Sequence, residues 1–140
     1  TVVRARLEVT RNGEHDRPLR LDGEELELLS LTVGGEKVEP VFEDGRLVIS
    51  LSGGTARVET EVAIAPARNS QLMGLYASGG ILCTQCEAEG FRKITFFPDR
   101  PDVLARYTVR IEADRAFPHL LANGNLQEKG PLPGGRHFAV

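Results

Sequence analysis

The chain has no tryptophan, a single methionine, two cysteines and only 6% aromatic residues. So few rings make a poor stacking platform for bases, and a formal charge of −3 with both signs interspersed leaves no basic stripe to neutralise phosphates. Nucleic acid is therefore not an expected partner. Long hydrophobic runs are missing too: none approaches the roughly 18 residues needed to span a bilayer. The amino terminus has neither the charged nor the apolar region of a signal peptide. No membrane insertion is expected. The two cysteines, Cys83 and Cys86, are too few and too close to staple a small secreted domain, so a reducing, cytoplasmic setting is expected.

Several kinds of chemistry are absent as well. There is no His-Glu-x-x-His, and no glycine cluster precedes a helix in the manner of a phosphate loop. The histidines do not suggest a triad: His15 lies in a polar turn, and His119 follows Pro118 with no serine or cysteine beside it.

What is present is strand alternation. With 140 residues, 41% of them hydrophobic, the chain is long enough to bury roughly 68% of its unfolded surface, and residues 1–140 are read as one β-domain. Val3, Ala5, Leu7 and Val9 alternate with Arg4, Arg6 and Glu8, the period of a strand with one wet face. Further strands are expected at Leu19–Leu21, Leu26–Val33, Lys37–Phe42, Leu47–Leu51 and Arg57–Ala65, separated by turn-forming residues. After the break at Pro66 come Ile81–Cys86, then Val103–Ala113, and a hairpin at Asn123–Gly124 between Leu120–Leu121 and the Leu126 strand. Only Glu87–Ile94 could form a helical turn or two. The expected fold is all-β, an antiparallel sandwich or saddle-like domain with at most one short helix. Strand pattern runs into both termini, which reads as a piece cut from a larger protein.

Three groups of residues invite a functional reading. Cys83-Thr84-Gln85-Cys86 places two thiols at a spacing that can share a metal or close a redox disulfide. Two ligands are not four, however, and His119 and His137 lack the spacing to complete a zinc shell. Two packed thiols flanking a functional Gln85 is the favoured reading. In Asp99-Arg100-Pro101-Asp102, Pro101 fixes a turn and Arg100 can fork onto a carboxylate, a structural role for all four. Gln85 and Glu87, two apart in an alternating segment, project to one side as an amide and an anion. They suit a ligand with an ammonium and a peptide group, or else they are simply solvated or internally paired.

Asn69-Ser70-Gln71-Leu72-Met73-Gly74-Leu75-Tyr76, Cys83 through Thr95, and Asp99 through Tyr107 closely resemble the amino-terminal β-domain of the bacterial aminopeptidase N family, zinc aminopeptidases of the gluzincin type. The resemblance implies a domain that caps a thermolysin-like catalytic domain of the same parent chain and lends it one wall of the active site. It implies that Glu87 pairs with the free α-ammonium of a peptide substrate and that Gln85 bounds the pocket for the first side chain, neither residue breaking bonds. Zinc is implied for the parent's catalytic domain and none for this piece, which is expected to be inactive alone and to self-associate through its exposed faces. A different reading is a non-enzymatic interaction module, with zinc on Cys83 and Cys86.

Overall fold

The computed structural model describes residues 1–140, which divide into two compact units, Thr1–Val103 and Leu104–Val140. In the first, nine strands run β1 Val2–Thr10, β2 Leu19–Leu21, β3 Glu27–Val33, β4 Glu36–Lys37, β5 Val41–Glu43, β6 Arg46–Ile49, β7 Thr55–Ala63, β8 Gly74–Ser78 and β9 Ile81–Gln85. All pairings are antiparallel. They make a four-stranded sheet β1-β7-β3-β4, a three-stranded sheet β2-β6-β5 and the hairpin β8-β9. The fold is all-β, as the alternation foretold.

Register in the large sheet follows from one wet face. Arg4, Arg6 and Glu8 of β1 stand opposite Glu61, Glu59 and Arg57 of β7 and pair with them at 2.8, 2.6 and 2.7 Å. Exposed pairs of this kind select register more than they add stability, since a slip of one residue would turn every charge inward. The other face supplies Leu31, Val58 and Val62, which meet Leu21, Leu47 and Ile49 of the small sheet. Burying each such side chain is worth about 1.5–3 kcal/mol, and this shared core is what makes the two sheets a sandwich.

Phe96 joins the same core, nearly fully buried. Its ring lies so close to Gly23 that a Cβ there would fall 2.2 Å from Cε1. A bridge between Asp22 and Phe97, with N–H to O distances of 2.8 and 3.1 Å, pins the next residue. The stretch that leads to Asp99 is thereby nailed to the sandwich.

Two expectations for this unit change. Lys37–Phe42 is not one strand: β4 pairs with β3 and β5 with β6, because Pro40 between them has no N–H to give a ladder. Glu87–Ile94 narrows to a single 3₁₀ turn over Phe91–Lys93, entered at Gly90, whose N–H bonds the Asp99 carboxylate.

The second unit is a three-stranded antiparallel sheet with β12 (Arg136–Ala139) between β10 (Ile111–Asp114) and β11 (Lys129–Leu132). The alternation from Val103 to Ala113 yields a strand only at its end, where β12 offers a partner. The hairpin expected at Asn123–Gly124 is absent. Leu121 and Leu126 are exposed, and the turn lies instead at Pro133–Gly135, between paired Leu132 and Arg136.

Candidate functional site

The β8-β9 hairpin closes through Gly79–Gly80, with φ of 56° and 84° joining the paired Ser78 and Ile81. Two successive positive φ values are what a two-residue hairpin turn of this hand requires, and glycine supplies them without steric cost. Asn69 braces the entrance to β8, its Nδ2 donating to the carbonyls of Met73 (2.7 Å) and Leu75 (3.0 Å) while its Oδ1 accepts from the Gln71 amide (3.1 Å). The base of the hairpin sits against the 3₁₀ turn: a Cβ on Gly74 would fall 2.6 Å from the Lys93 Cβ.

Gln85 is the last residue of β9, and Glu87 lies beyond it in a bend. Strand alternation therefore does not carry both side chains to one side. They are brought together by a hydrogen bond: Gln85 Nε2 donates to the Glu87 carbonyl oxygen at 3.1 Å. Both residues are exposed, and the Glu87 carboxylate itself has no hydrogen bond or ion pair within the chain. An anion left free on a tethered backbone is available to an incoming cation.

The far end of this bend is held by Asp99, which is 6% exposed. One of its oxygens, Oδ2, accepts from the Gly90 amide (2.9 Å), the Arg92 amide (3.1 Å) and Arg92 Nε (2.8 Å). Arg92 Nη2 in turn donates to the Asp99 carbonyl (2.8 Å) and to Glu89 (2.7 Å). Asp99 is tied back to the sandwich as well, its amide donating to Asp22 Oδ2 at 3.1 Å, while Asp22 Oδ1 receives Arg46 at 2.7 Å. Burial pushes the Asp99 carboxyl up, but the bonds from Arg92 and from the two amides outweigh it and hold the pKa below the usual carboxylate range. Behind them, the Lys93 ammonium is buried and lies 2.8 Å from Glu24 and 3.1 Å from Glu25. Desolvation alone would lower its pKa, yet the two glutamates raise it, so Lys93 is a charged anchor.

The expectation for Asp99-Arg100-Pro101-Asp102 divides. Arg100 does fork onto a carboxylate, Asp102, at 2.8 and 2.5 Å, and this pair is exposed. The arginine that packs beneath the bend is Arg92. Nothing in spacing distinguishes Arg92 from Arg100 as the partner of Asp99, so residue pattern does not single it out.

Cys83 and Cys86 are both free and partly buried. Burial, then the charge of Asp99, pushes the Cys86 thiol up, although a backbone hydrogen bond at Gly74 opposes this. No group of three or more His, Cys, Asp or Glu side chains is placed to hold a metal ion. His137 is engaged with the Phe117 carbonyl at 2.8 Å, His15 accepts the Arg17 amide at 3.2 Å, and His119 is exposed. No helix is long and apolar enough to cross a membrane.

The fold is thus an all-β sandwich carrying a braced hairpin, followed by a bend that exposes the Glu87 carboxylate. Residues 5–140 match the Peptidase M1 N-terminal domain family, and the chain belongs to it. It is 55% identical to aminopeptidase N of Caulobacter vibrioides over 142 residues and 49% identical to aminopeptidase N of Escherichia coli over 140. Each match covers 99% of this chain but 16% of the relative, so the chain spans about a sixth of the length of these curated proteins. Among solved structures, Legionella pneumophila aminopeptidase A in complex with aspartic acid superposes with a TM-score of 0.91 at 33% identity, over 99% of this chain and 17% of that one.

Proposed function

We propose that this chain is the substrate-anchoring wall of a zinc aminopeptidase, and that Glu87, flanked by Gln85, receives the free α-ammonium of a peptide substrate. The observation that carries the reading is the Glu87 carboxylate, exposed and unpaired inside the chain while its own carbonyl is tethered by Gln85 at 3.1 Å. The relatives' names, all aminopeptidases, agree with it.

The physical case is one of charge selection. A free α-amino group has a pKa near 8, so a carboxylate that favours the ammonium form separates a peptide's end from its internal bonds. Exopeptidase behaviour follows from such a contact. Hydrolysis calls for zinc, which would polarise the scissile carbonyl and activate water. The residues of this chain do not fit that metal, because no three candidate ligands converge. In this reading zinc belongs to a catalytic domain of the same parent chain. Exposed Leu72, Ile81 and Leu82 on and beside the hairpin support a contact of the domain with that partner, or of two copies with each other. The free thiols support a cytoplasmic setting.

The test is Glu87→Ala in the parent enzyme, assayed on aminoacyl arylamides. Loss of a desolvated ion pair should lower kcat/KM by about 2–5 kcal/mol of transition-state stabilisation. Unchanged specificity constants would remove Glu87 from the site.

A further inference from the structure

We propose that Asp99 is a positioning residue for substrate binding: through Gly90 and Arg92 it fixes the bend that carries Glu87, and so sets how well the site holds an α-ammonium it does not itself touch. The inference rests on the reading of Glu87 given above.

Three features of the structure converge on it. The bend from Gln85 to Arg92 has two fastenings, the Gln85 amide on the Glu87 carbonyl at one end and Asp99 Oδ2 on the Gly90 and Arg92 amides at the other. Between them the chain has little room to shift. Gly90, at φ 149°, lies where a Cβ would meet Met73 Cγ at 2.8 Å and the Cys86 Cα and Gln85 carbonyl at 3.0 Å. Asp99 is in addition moored through Asp22, the residue that follows β2 and bridges to Phe97, so the fastening reaches the edge of the sandwich.

Asp99 also spends its charge locally. Oδ2 accepts three hydrogen bonds, one from the Arg92 guanidinium, whose Nη2 closes a second contact on the Asp99 carbonyl. A carboxylate so occupied has little left to offer a ligand. What it delivers is preorganisation: an ion pair with an exposed glutamate ordinarily gives back much of its energy in ordering the side chain and its loop, and a bend already fixed avoids that loss.

The experiment uses the full parent enzyme and two inhibitors, leucine and 4-methylpentanoate, which differ by the α-amino group. The ratio of their inhibition constants isolates recognition of the ammonium. Asp99→Asn and Arg92→Lys are each expected to reduce the preference for leucine about 10- to 100-fold, and to do so little or not at all when Glu87 is already alanine. A merely structural role would lower both affinities together and would act equally in either background. Either of those results, or an unchanged ratio in a folded variant, overturns the inference. If Asp99→Asn does not fold, Arg92→Lys carries the same cycle, because Arg92 is partly exposed and keeps its charge. If Glu87→Ala alone leaves the ratio unchanged, the reading of Glu87 fails. If it abolishes the preference while the other two variants do not, only the role of Asp99 fails.

Discussion

Arg92 grips Asp99 twice, with Nε on the carboxylate oxygen and Nη2 on the main-chain carbonyl, each at 2.8 Å. Asp99 is buried and Arg92 is one-quarter exposed, so the pair lies largely away from solvent. Removing Asp99 leaves the Gly90 and Arg92 amides without their acceptor and Arg92 with Glu89 alone, a larger loss than the pair's own net worth.

Asp99→Ala is therefore expected to destabilise the domain by about 3–5 kcal/mol, measured by urea denaturation. Arg100→Ala is the contrast. The Arg100–Asp102 pair is open to water, and its loss should leave the midpoint within experimental scatter.

Acid should act on the same residue. Because the folded pKa of Asp99 lies below its unfolded value, the unfolded chain binds more protons, and stability falls as pH falls. The contribution is complete above the unfolded carboxylate value of about 3.9 and disappears as pH drops through the folded one. The stability gap between the wild-type protein and Asp99→Asn should accordingly shrink below about pH 4, followed as denaturation midpoints against pH. A gap constant down to pH 2 would show that Asp99 is not held ionised.

Gly90 is constrained by both its conformation and its surroundings. Gly90→Ala should cost about 1–3 kcal/mol in stability, since two of the atoms its Cβ would meet at 3.0 Å belong to the backbone and cannot rotate away. Gly79→Ala, at a hairpin tip with nothing within 4 Å, should cost about 1 kcal/mol, the left-handed penalty alone. Equal losses at the two positions would mean that the bend yields.

The thiols separate the two functional readings. With its pKa raised by burial and by Asp99, Cys86 is expected to react with iodoacetamide at pH 8 more slowly than an unhindered thiol. Reduced protein should take up no stoichiometric zinc. One equivalent held tightly would favour the interaction-module reading on Cys83 and Cys86.

Much of this structure was legible from residue pattern alone, and the exceptions have a common physical cause. The alternation of Val3, Leu7 and Val9 with Arg4, Arg6 and Glu8 marked β1 because one face of that strand packs and the other is wet. The same alternation from Val103 onward was misleading. Pattern states that a segment can be a strand, but only a neighbour completes it, and β12 reaches no further than Ile111. Pro40 and the Gly134–Gly135 pair carried the information that split one expected strand and moved one hairpin. At the site, Gln85 and Glu87 stood out as an adjacent amide and anion. Their actual link is a side chain bonded to a main-chain carbonyl past the end of a strand, and no periodicity encodes that contact. The ties of Asp99 to Gly90 and Arg92 depend on a chain reversal between residues 90 and 99, visible only once Phe96 and Phe97 are seen anchored in the sandwich.

The claim that Glu87 receives a substrate's amino terminus is tested most directly by a crystal structure of the parent enzyme with a free amino acid bound. The α-ammonium nitrogen is expected about 2.7–2.9 Å from a Glu87 carboxylate oxygen, with the bend from Gln85 to Arg92 unchanged. An ammonium held entirely by other residues, with Glu87 turned to solvent, would contradict it.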